Sequence, residues 1–279
     1  MDFYRYHGLG NDYLVIDPKK TSIAINPDSI RAICRRNFGE GSDGILYGPF
    51  FDDNGDIHVQ IFNPDGSEAE KSGNGTRIFA RYLVDEGYRS SEQPFTFLTL
   101  GGMVRAHVVD KMNKIIMDMG TASFTSGKIP VAGEEREVVN EKIIVNEQEL
   151  NMTCVTMGNP HCVIPVDRLT KELAMEMGPH LENHVLFPNR TNVQFLKVID
   201  SRNIQIEIWE RGAGYTLASG SSSCASAAAA FRLGLVENKV KVHMPGGDLD
   251  IVILDNYEMQ MTGPVAFIAK GFLSDELWQ

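Results

Sequence analysis

The chain of 279 residues sets 26 Lys+Arg against 37 Asp+Glu, a formal charge of −11, with 43% hydrophobic residues. That balance supplies apolar material for a sizeable core and excludes a disordered or collagen-like chain. It contains no Lys/Arg cluster, so it lacks the basic face that nucleic acid or an anionic membrane surface requires, and small-molecule chemistry becomes the leading class.

Runs rich in β-branched and aromatic residues predict strands at Tyr13–Asp17, Ile57–Phe62, Lys114–Asp118, Asn192–Val198 and Ile204–Trp209. Helices are fewer. Asn26 as N-cap with Pro27 behind it opens one over Ile30, Ile33 and Cys34; Leu169, Leu173 and Met177 mark another, bounded by Gly178-Pro179. A helix follows Ser72-Gly-Asn-Gly75 with Ile78, Phe79, Tyr82 and Leu83 on one face, and an Ala-rich helix from Ser223 to Leu233 follows Ser219-Gly220. No segment approaches the roughly 20 apolar residues of a bilayer span, and the first residues lack the apolar core of a secretory signal. Cys34, Cys154, Cys162 and Cys224 fit no zinc or redox spacing and are too sparse for a disulfide framework. A cytoplasmic protein is the expectation.

Both Ala-rich and Gly-rich helices start at a Ser-Gly step, and the coincidence extends along the chain. Gly10-Asn11 and Gly158-Asn159 lie 148 positions apart, as do Gly44 and Asn192; Asn63 and Glu210, and Ser72-Gly73 and Ser219-Gly220, lie 147 apart. A duplicated α+β unit explains the constant offset. The predicted domains are 1–118, rejoined by 265–279, and 119–264, with a cleft between pseudo-equivalent halves.

The stretches Asn63–Gly75 and Glu210–Ser221 each end at a predicted helix N-terminus built of small residues. Free N–H groups and the helix dipole favour an anion there, although Ser, Gly and Asn are also the commonest N-caps. Two such starts on one cleft suit epimerisation at the α-carbon of an amino acid, which needs a base on one face, an acid on the other, and stabilisation of charge on the carboxylate. Ser72 and Ser219 sit where the acid and base would project.

His7-Gly-Leu-Gly-Asn-Asp12, Asn63-Pro-Asp-Gly-Ser-Glu-Ala-Glu70, Ser72-Gly-Asn-Gly75, Met157-Gly-Asn-Pro-His161, Phe187-Pro-Asn-Arg-Thr-Asn192 and Glu210-Arg-Gly-Ala-Gly214 together resemble the diaminopimelate epimerases, in order and over almost the whole chain. The resemblance implies an α+β fold of two pseudo-symmetric domains, each a mixed sheet wrapped around a central helix, with the active site in the interdomain cleft. It implies an isomerase of lysine and peptidoglycan-precursor biosynthesis that converts LL- to meso-diaminopimelate without cofactor or metal, with a homodimer as the assembly to test for. By position, Asn11, Asn63, Asn159, Asn192, Glu210 and Arg211 would hold the distal amino and carboxylate groups. Gly73, Asn74, Gly220 and Ser221 would supply donors to the carboxylate at the reacting carbon, and His161 would influence the catalytic pair. The residue chemistry agrees, since Arg forks onto a carboxylate while Glu and Asn amides suit an ammonium.

Three departures stand against the family pattern. Its two bases are cysteines, where this chain has Ser72 and Ser219; Gly44 stands for a usual Gln and Tyr215 for a usual Glu. An aliphatic hydroxyl is a far weaker acid than a thiol and needs an adjacent base. Three accounts stay open: a natural serine branch that keeps epimerase activity with help from His161 or water; an engineered Cys-to-Ser pair; or altered chemistry, either elimination, action on another amino acid, or binding without turnover. The coexistence of Asn63, Asn192, Glu210 and Arg211 favours the first.

Other signals are set aside. Gly39-Glu-Gly-Ser-Asp-Gly44 matches G-x-G-x-x-G but follows a helix and precedes a strand, the reverse of a dinucleotide site. His180 and His184 read as surface histidines, Glu134, Glu135 and Glu137 as a solvated turn, and Met157, Met175 and Met177 as core filling.

Overall fold

The structure, a computed structural model, describes residues 1–21, 25–70, 72–112 and 114–278. The chain forms two compact units, Met1–Met117 with Gly263–Gln279, and Asp118–Thr262.

In the first unit, β1 (Asp2–Gly8) and β2 (Asn11–Ile16) form an antiparallel hairpin, closed by a turn in which Gly10 takes φ +87°. Helix α1 (Pro27–Cys34) leads to β3 (Ile45–Phe51), parallel to β2. Its start is fixed by a capping box in which Asn26 and Ser29 satisfy each other's backbone N–H. Strand β4 (Ile57–Phe62) returns antiparallel to β3 and the short β5 (Glu68–Ala69) pairs with it. Helix α2 (Gly73–Asp85) follows, then β6 (Phe95–Thr99), parallel to β4, and the meander β7 (Gly102–Asp110) and β8 (Lys114–Thr121).

The second unit repeats the order after an added strand, β9 (Glu141–Val145), which pairs with β10 (Gln148–Thr156). Strands β10 and β11 (Pro160–Pro165) make a hairpin with Gly158 at φ +96°. Then come α3 (Lys171–Glu182), β12 (Asn192–Asp200) parallel to β11, β13 (Asn203–Glu210) antiparallel to it, and the short β14 (Gly214–Thr216). Helix α4 (Gly220–Arg232) precedes β15 (Lys239–Met244), parallel to β13, and the meander β16 (Gly247–Ile253) and β17 (Glu258–Gly263). The last strand, β18 (Ala266–Phe272), belongs with the first unit, antiparallel to β1. Each landmark of the 147–148 offset therefore stands at the same point of both repeats: hairpin turn, strand start, strand end and helix N-cap.

Period-two alternation sorts each strand between two helices. Leu14 and Ile16 of β2 pack with Ile30 and Ile33 of α1, and Val193 and Phe195 of β12 pack with Ala174, Met177 and Leu181 of α3. The opposite faces meet the central helices: α2 touches β1, β2, β3 and β7, while α4 touches β10–β13, β15 and β16. The amphipathic stripe predicted for the helix after Ser72 is not what forms. All of Asn74–Val84 is buried, because the sheet surrounds α2 and leaves no solvent face. In α4 the same enclosure is met by side chains small enough for close approach, Ala225 and Ala227–Ala230, all buried.

The boundary predicted at Gly178-Pro179 is also wrong; α3 runs through both residues to Glu182. Gly178 lies so close to Trp209 that a Cβ there would stand 2.5 Å from the indole, and the extra turn buries Leu181 and Glu182. Tertiary contact outweighs the hydrogen bond that Pro179 cannot make. No helix among the described residues is long and apolar enough to cross a membrane. The four cysteines are free and buried.

Candidate active site

In the first unit the candidate residues gather at the N-terminus of α2. Ser72 is the N-cap, its Oγ accepting from Gly75 N at 3.0 Å. The first intrahelical bond is Thr76 N to Ser72 O, so the N–H groups of Gly73 and Asn74 have no carbonyl within the helix. Asn74 is held from both sides: its Nδ2 donates to Asn11 Oδ1 at 3.2 Å and its Oδ1 accepts from Arg77 Nη2 at 3.0 Å. Asn11 Nδ2 donates in turn to Asp43 Oδ2 at 2.9 Å. Arg77 is completely buried; burial pushes it down to about 10, and its Nε donates to Pro264 O. This chain of bonds fixes the two amides, Asn11 and Asn74, beside the free helix donors.

Tyr13 joins the same group. Asn11 and Tyr13 lie two apart on β2, on the face away from α1, and the Tyr13 hydroxyl donates to Ser72 Oγ at 3.1 Å. Gly44 explains how the ring fits. A Cβ on Gly44 would lie 2.6 Å from Tyr13 Cε1 and 2.6 Å from Phe62 O. Asn63 is placed differently: its Nδ2 donates to Ser67 Oγ at 3.0 Å inside its own turn, and no described bond ties it to Asn11 or Ser72.

In the second unit Ser219 is the buried N-cap of α4, and its Oγ accepts from Ser222 N at 3.4 Å. Ser223 N bonds Ser219 O, which leaves Gly220 and Ser221 as the free first-turn donors. Gln194 Nε2 donates to Ser222 Oγ at 3.0 Å, tying β12 to this helix start. Asn159 and His161, two apart, meet through Asn159 Oδ1 and His161 Nε2 at 3.0 Å. His161 pairs in register with Asn192 across parallel strands. Asn192 Nδ2 donates to Pro160 O at 2.8 Å, while its Oδ1 accepts from Arg211 N at 2.9 Å. Asn159, His161, Asn192 and Arg211 thus form one connected group, and Glu210 precedes Arg211 in the chain.

Electrostatics distinguish its members. His161 is fully buried, and burial, with the Arg211 charge adding to it, pushes the imidazole down to about 3. The ring is neutral at neutral pH. Burial raises the Glu210 carboxyl, opposed by the Thr216 hydroxyl that donates to Oε1 at 2.7 Å. Arg211 is exposed; its Nη1 donates to Asn189 O at 3.2 Å. Tyr215 turns its hydroxyl to Glu207 Oε2 at 2.6 Å, so it serves the sheet and not the Glu210–Arg211 group.

Several members are silent in the sequence. Glu182 accepts from Trp209 Nε1 at 2.7 Å, Gly212 N at 2.9 Å and Arg190 Nη1 at 3.1 Å, bracketing the Glu210–Arg211 turn. It lies beyond the expected end of α3, where nothing marks it as buried. Tyr13 reads as one more aromatic in a strand. His180 is exposed and His184 half-buried, in keeping with surface positions.

The sequence model of the family described as "Diaminopimelate epimerase" matches residues 3–125 and 153–268. The chain belongs to the diaminopimelate epimerase family. "Diaminopimelate epimerase 2" of Nostoc sp. is 54% identical, covering 100% of this chain and 97% of its own length. A diaminopimelate epimerase of Desulfitobacterium hafniense is 41% identical, covering 99% of each. Among solved structures, a hydroxyproline epimerase from Agrobacterium vitis with bound trans-4-hydroxy-L-proline aligns with a TM-score of 0.68 at 14% identity, over 97% of this chain and 91% of that one. A PhzF-family phenazine biosynthesis protein of Bacillus anthracis aligns at 0.69 and 15%, over 98% of each. At those identities the likeness is one of fold alone.

Proposed function

We propose that the protein is a cytoplasmic, cofactor-independent epimerase that interconverts LL- and meso-diaminopimelate, with Ser72 and Ser219 as the two groups that exchange the α-proton. One observation carries the reading: both repeats place a serine at the N-cap of their buried central helix, beside free first-turn N–H groups. Charge that develops on the substrate carboxylate during deprotonation is stabilised by such donors, each worth roughly 3 kcal/mol in a water-excluded site. Gly73, Asn74, Gly220 and Ser221 supply them. Glu210 and Arg211 suit the distal ammonium and carboxylate, and an ammonium bound at Glu210 favours the ionised carboxyl that burial disfavours. Asn11, Asn159 and Asn192 complete the amide set, while the Asn63 amide nitrogen is engaged by Ser67 in its own turn. His161 enters as a neutral group that orients Asn159, since an imidazole pushed down to about 3 takes up no second proton at neutral pH.

Incubation with LL-diaminopimelate, followed by chiral chromatography, tests the assignment. Formation of meso-diaminopimelate, abolished in both Ser72→Ala and Ser219→Ala, is the expected result. Release of ammonia or water instead assigns a lyase, and ligand-induced stabilisation without any product assigns a binding protein.

A further inference from the structure

We propose that Tyr13 is the proton-relay partner of Ser72, so that the acid/base element of the first unit is a serine–tyrosine pair. The inference rests on the epimerase reading above and adds a residue to it. Three observations converge. The Tyr13 hydroxyl lies 3.1 Å from Ser72 Oγ, a direct hydrogen bond. Gly44, whose Cβ would lie 2.6 Å from the ring, keeps the space in which that ring stands. The repeat supplies the third. Asn11 and Asn159 are equivalent at an offset of 148, and the same offset carries Tyr13 onto His161. Both repeats thus set a proton-bearing ring two residues after the turn asparagine. In the second unit the ring bonds that asparagine; in the first it bonds the serine.

The chemistry explains what the pair gains. An aliphatic hydroxyl ionises only near the value of water, far above the phenol's range near 10, so charge is much easier to sustain on the phenol oxygen than on the serine oxygen. In the deprotonating direction the α-C–H bond breaks and its proton forms a new bond to Ser72 Oγ. The original Ser72 O–H bond breaks and that proton neutralises the Tyr13 phenolate. The electron pair stays on the α-carbon and its carboxylate. Reprotonation reverses each transfer, leaving Tyr13 as phenolate and Ser72 never as alkoxide. In the structure Oγ accepts from Gly75 N–H and from the Tyr13 hydroxyl; with Tyr13 as phenolate the second acceptor position is released to the α-proton and the serine's own hydroxyl hydrogen turns to the phenolate oxygen.

Tyr13→Phe, made in the wild-type and in the Ser72→Cys background, tests the pair through kcat, KM and the pH–rate profile for LL- and meso-diaminopimelate. Loss of a positioned acid/base typically costs 10²–10⁴ in rate, so Tyr13→Phe is expected to lower kcat at least about a hundredfold with KM within about threefold. The rise of kcat towards the phenol range disappears with it. In the Ser72→Cys background the thiol, near 8.5, carries its own proton, and Tyr13→Phe changes kcat by less than about threefold. Equal losses in both backgrounds, or none in the wild type, overturn the relay while leaving the epimerase reading intact. A wild-type chain that forms no product from either isomer overturns the reaction and the relay together.

Discussion

His161 makes the second unit sensitive to acid in a way that can be calculated. Its imidazole is pushed from 6.5 to about 3, chiefly by burial. Between those values the unfolded chain binds a proton that the folded chain does not, so stability falls as pH falls. About 3.5 units at 1.36 kcal/mol each gives a total near 5 kcal/mol, fully lost by about pH 3. At pH 5 the unfolded imidazole is almost wholly protonated and the folded one almost wholly neutral, and the loss relative to pH 7.5 is roughly 2 kcal/mol. Glu210 works in the opposite sense. Its raised carboxyl favours the fold at low pH and loses that contribution as pH rises through the folded value. A comparison with His161→Gln cancels Glu210, which both proteins share. Urea unfolding at pH 7.5 and pH 5, in a Trp278→Phe background so that Trp209 reports on its own unit, supplies the measurement. The wild type should lose about 2 kcal/mol more than His161→Gln between the two pH values. An equal loss in both proteins refutes the buried neutral imidazole.

Glu182→Gln keeps the shape but turns one acceptor oxygen into a donor facing Trp209 Nε1 or Gly212 N. About 2 kcal/mol is expected from the lost charge-assisted bond, a melting-temperature drop of several degrees, and kcat/KM for diaminopimelate should fall about tenfold as the Glu210–Arg211 turn loosens; unchanged melting and turnover would refute the bracing role. Gly44→Ala places a methyl against Tyr13 and the Phe62 carbonyl, an overpacking cost of about 1–3 kcal/mol, and differential scanning calorimetry should show the first unit melting earlier. Ser72→Cys with Ser219→Cys should raise turnover at neutral pH, because a helix N-terminus brings a thiol to thiolate far more readily than a hydroxyl to alkoxide. Equal or lower turnover in the double variant would show that the site is built around the hydroxyls.

The sequence disclosed the duplication because its signals are local. Turn glycines with positive φ, the Asn26 capping box and the serine N-caps each act within a few residues, and their spacing survives as a constant offset. It did not disclose how the central helices are enclosed. Ile78, Phe79, Tyr82 and Leu83 look like one face only until the sheet covers the others, including completely buried Arg77. Glu182 was hidden for a related reason. Proline and glycine predict a helix end by backbone propensity, and that propensity yields to the packing of Gly178 on Trp209. Among the candidate site residues, the two serines, Asn11, Asn74, Asn159, Asn192, Glu210 and Arg211 announce themselves through motif and chemistry. Tyr13 does not, since only strand alternation and the vacancy at Gly44 decide that its hydroxyl meets Ser72. Asn63 shows the converse, a residue with the right chemistry whose amide is taken up by its own turn.

Isotope exchange tests the central claim most directly. LL-Diaminopimelate is incubated with the enzyme in D2O, and at low conversion the deuterium content of the product and of the recovered substrate is measured by mass spectrometry. If Ser72 and Ser219 act as two separate groups, one removing and the other delivering the proton, the meso product carries one solvent deuterium at the inverted carbon. The recovered LL isomer carries almost none. Comparable deuterium in both isomers would contradict the account, since it would mean that one group alone exchanges its proton with solvent and returns it to either face.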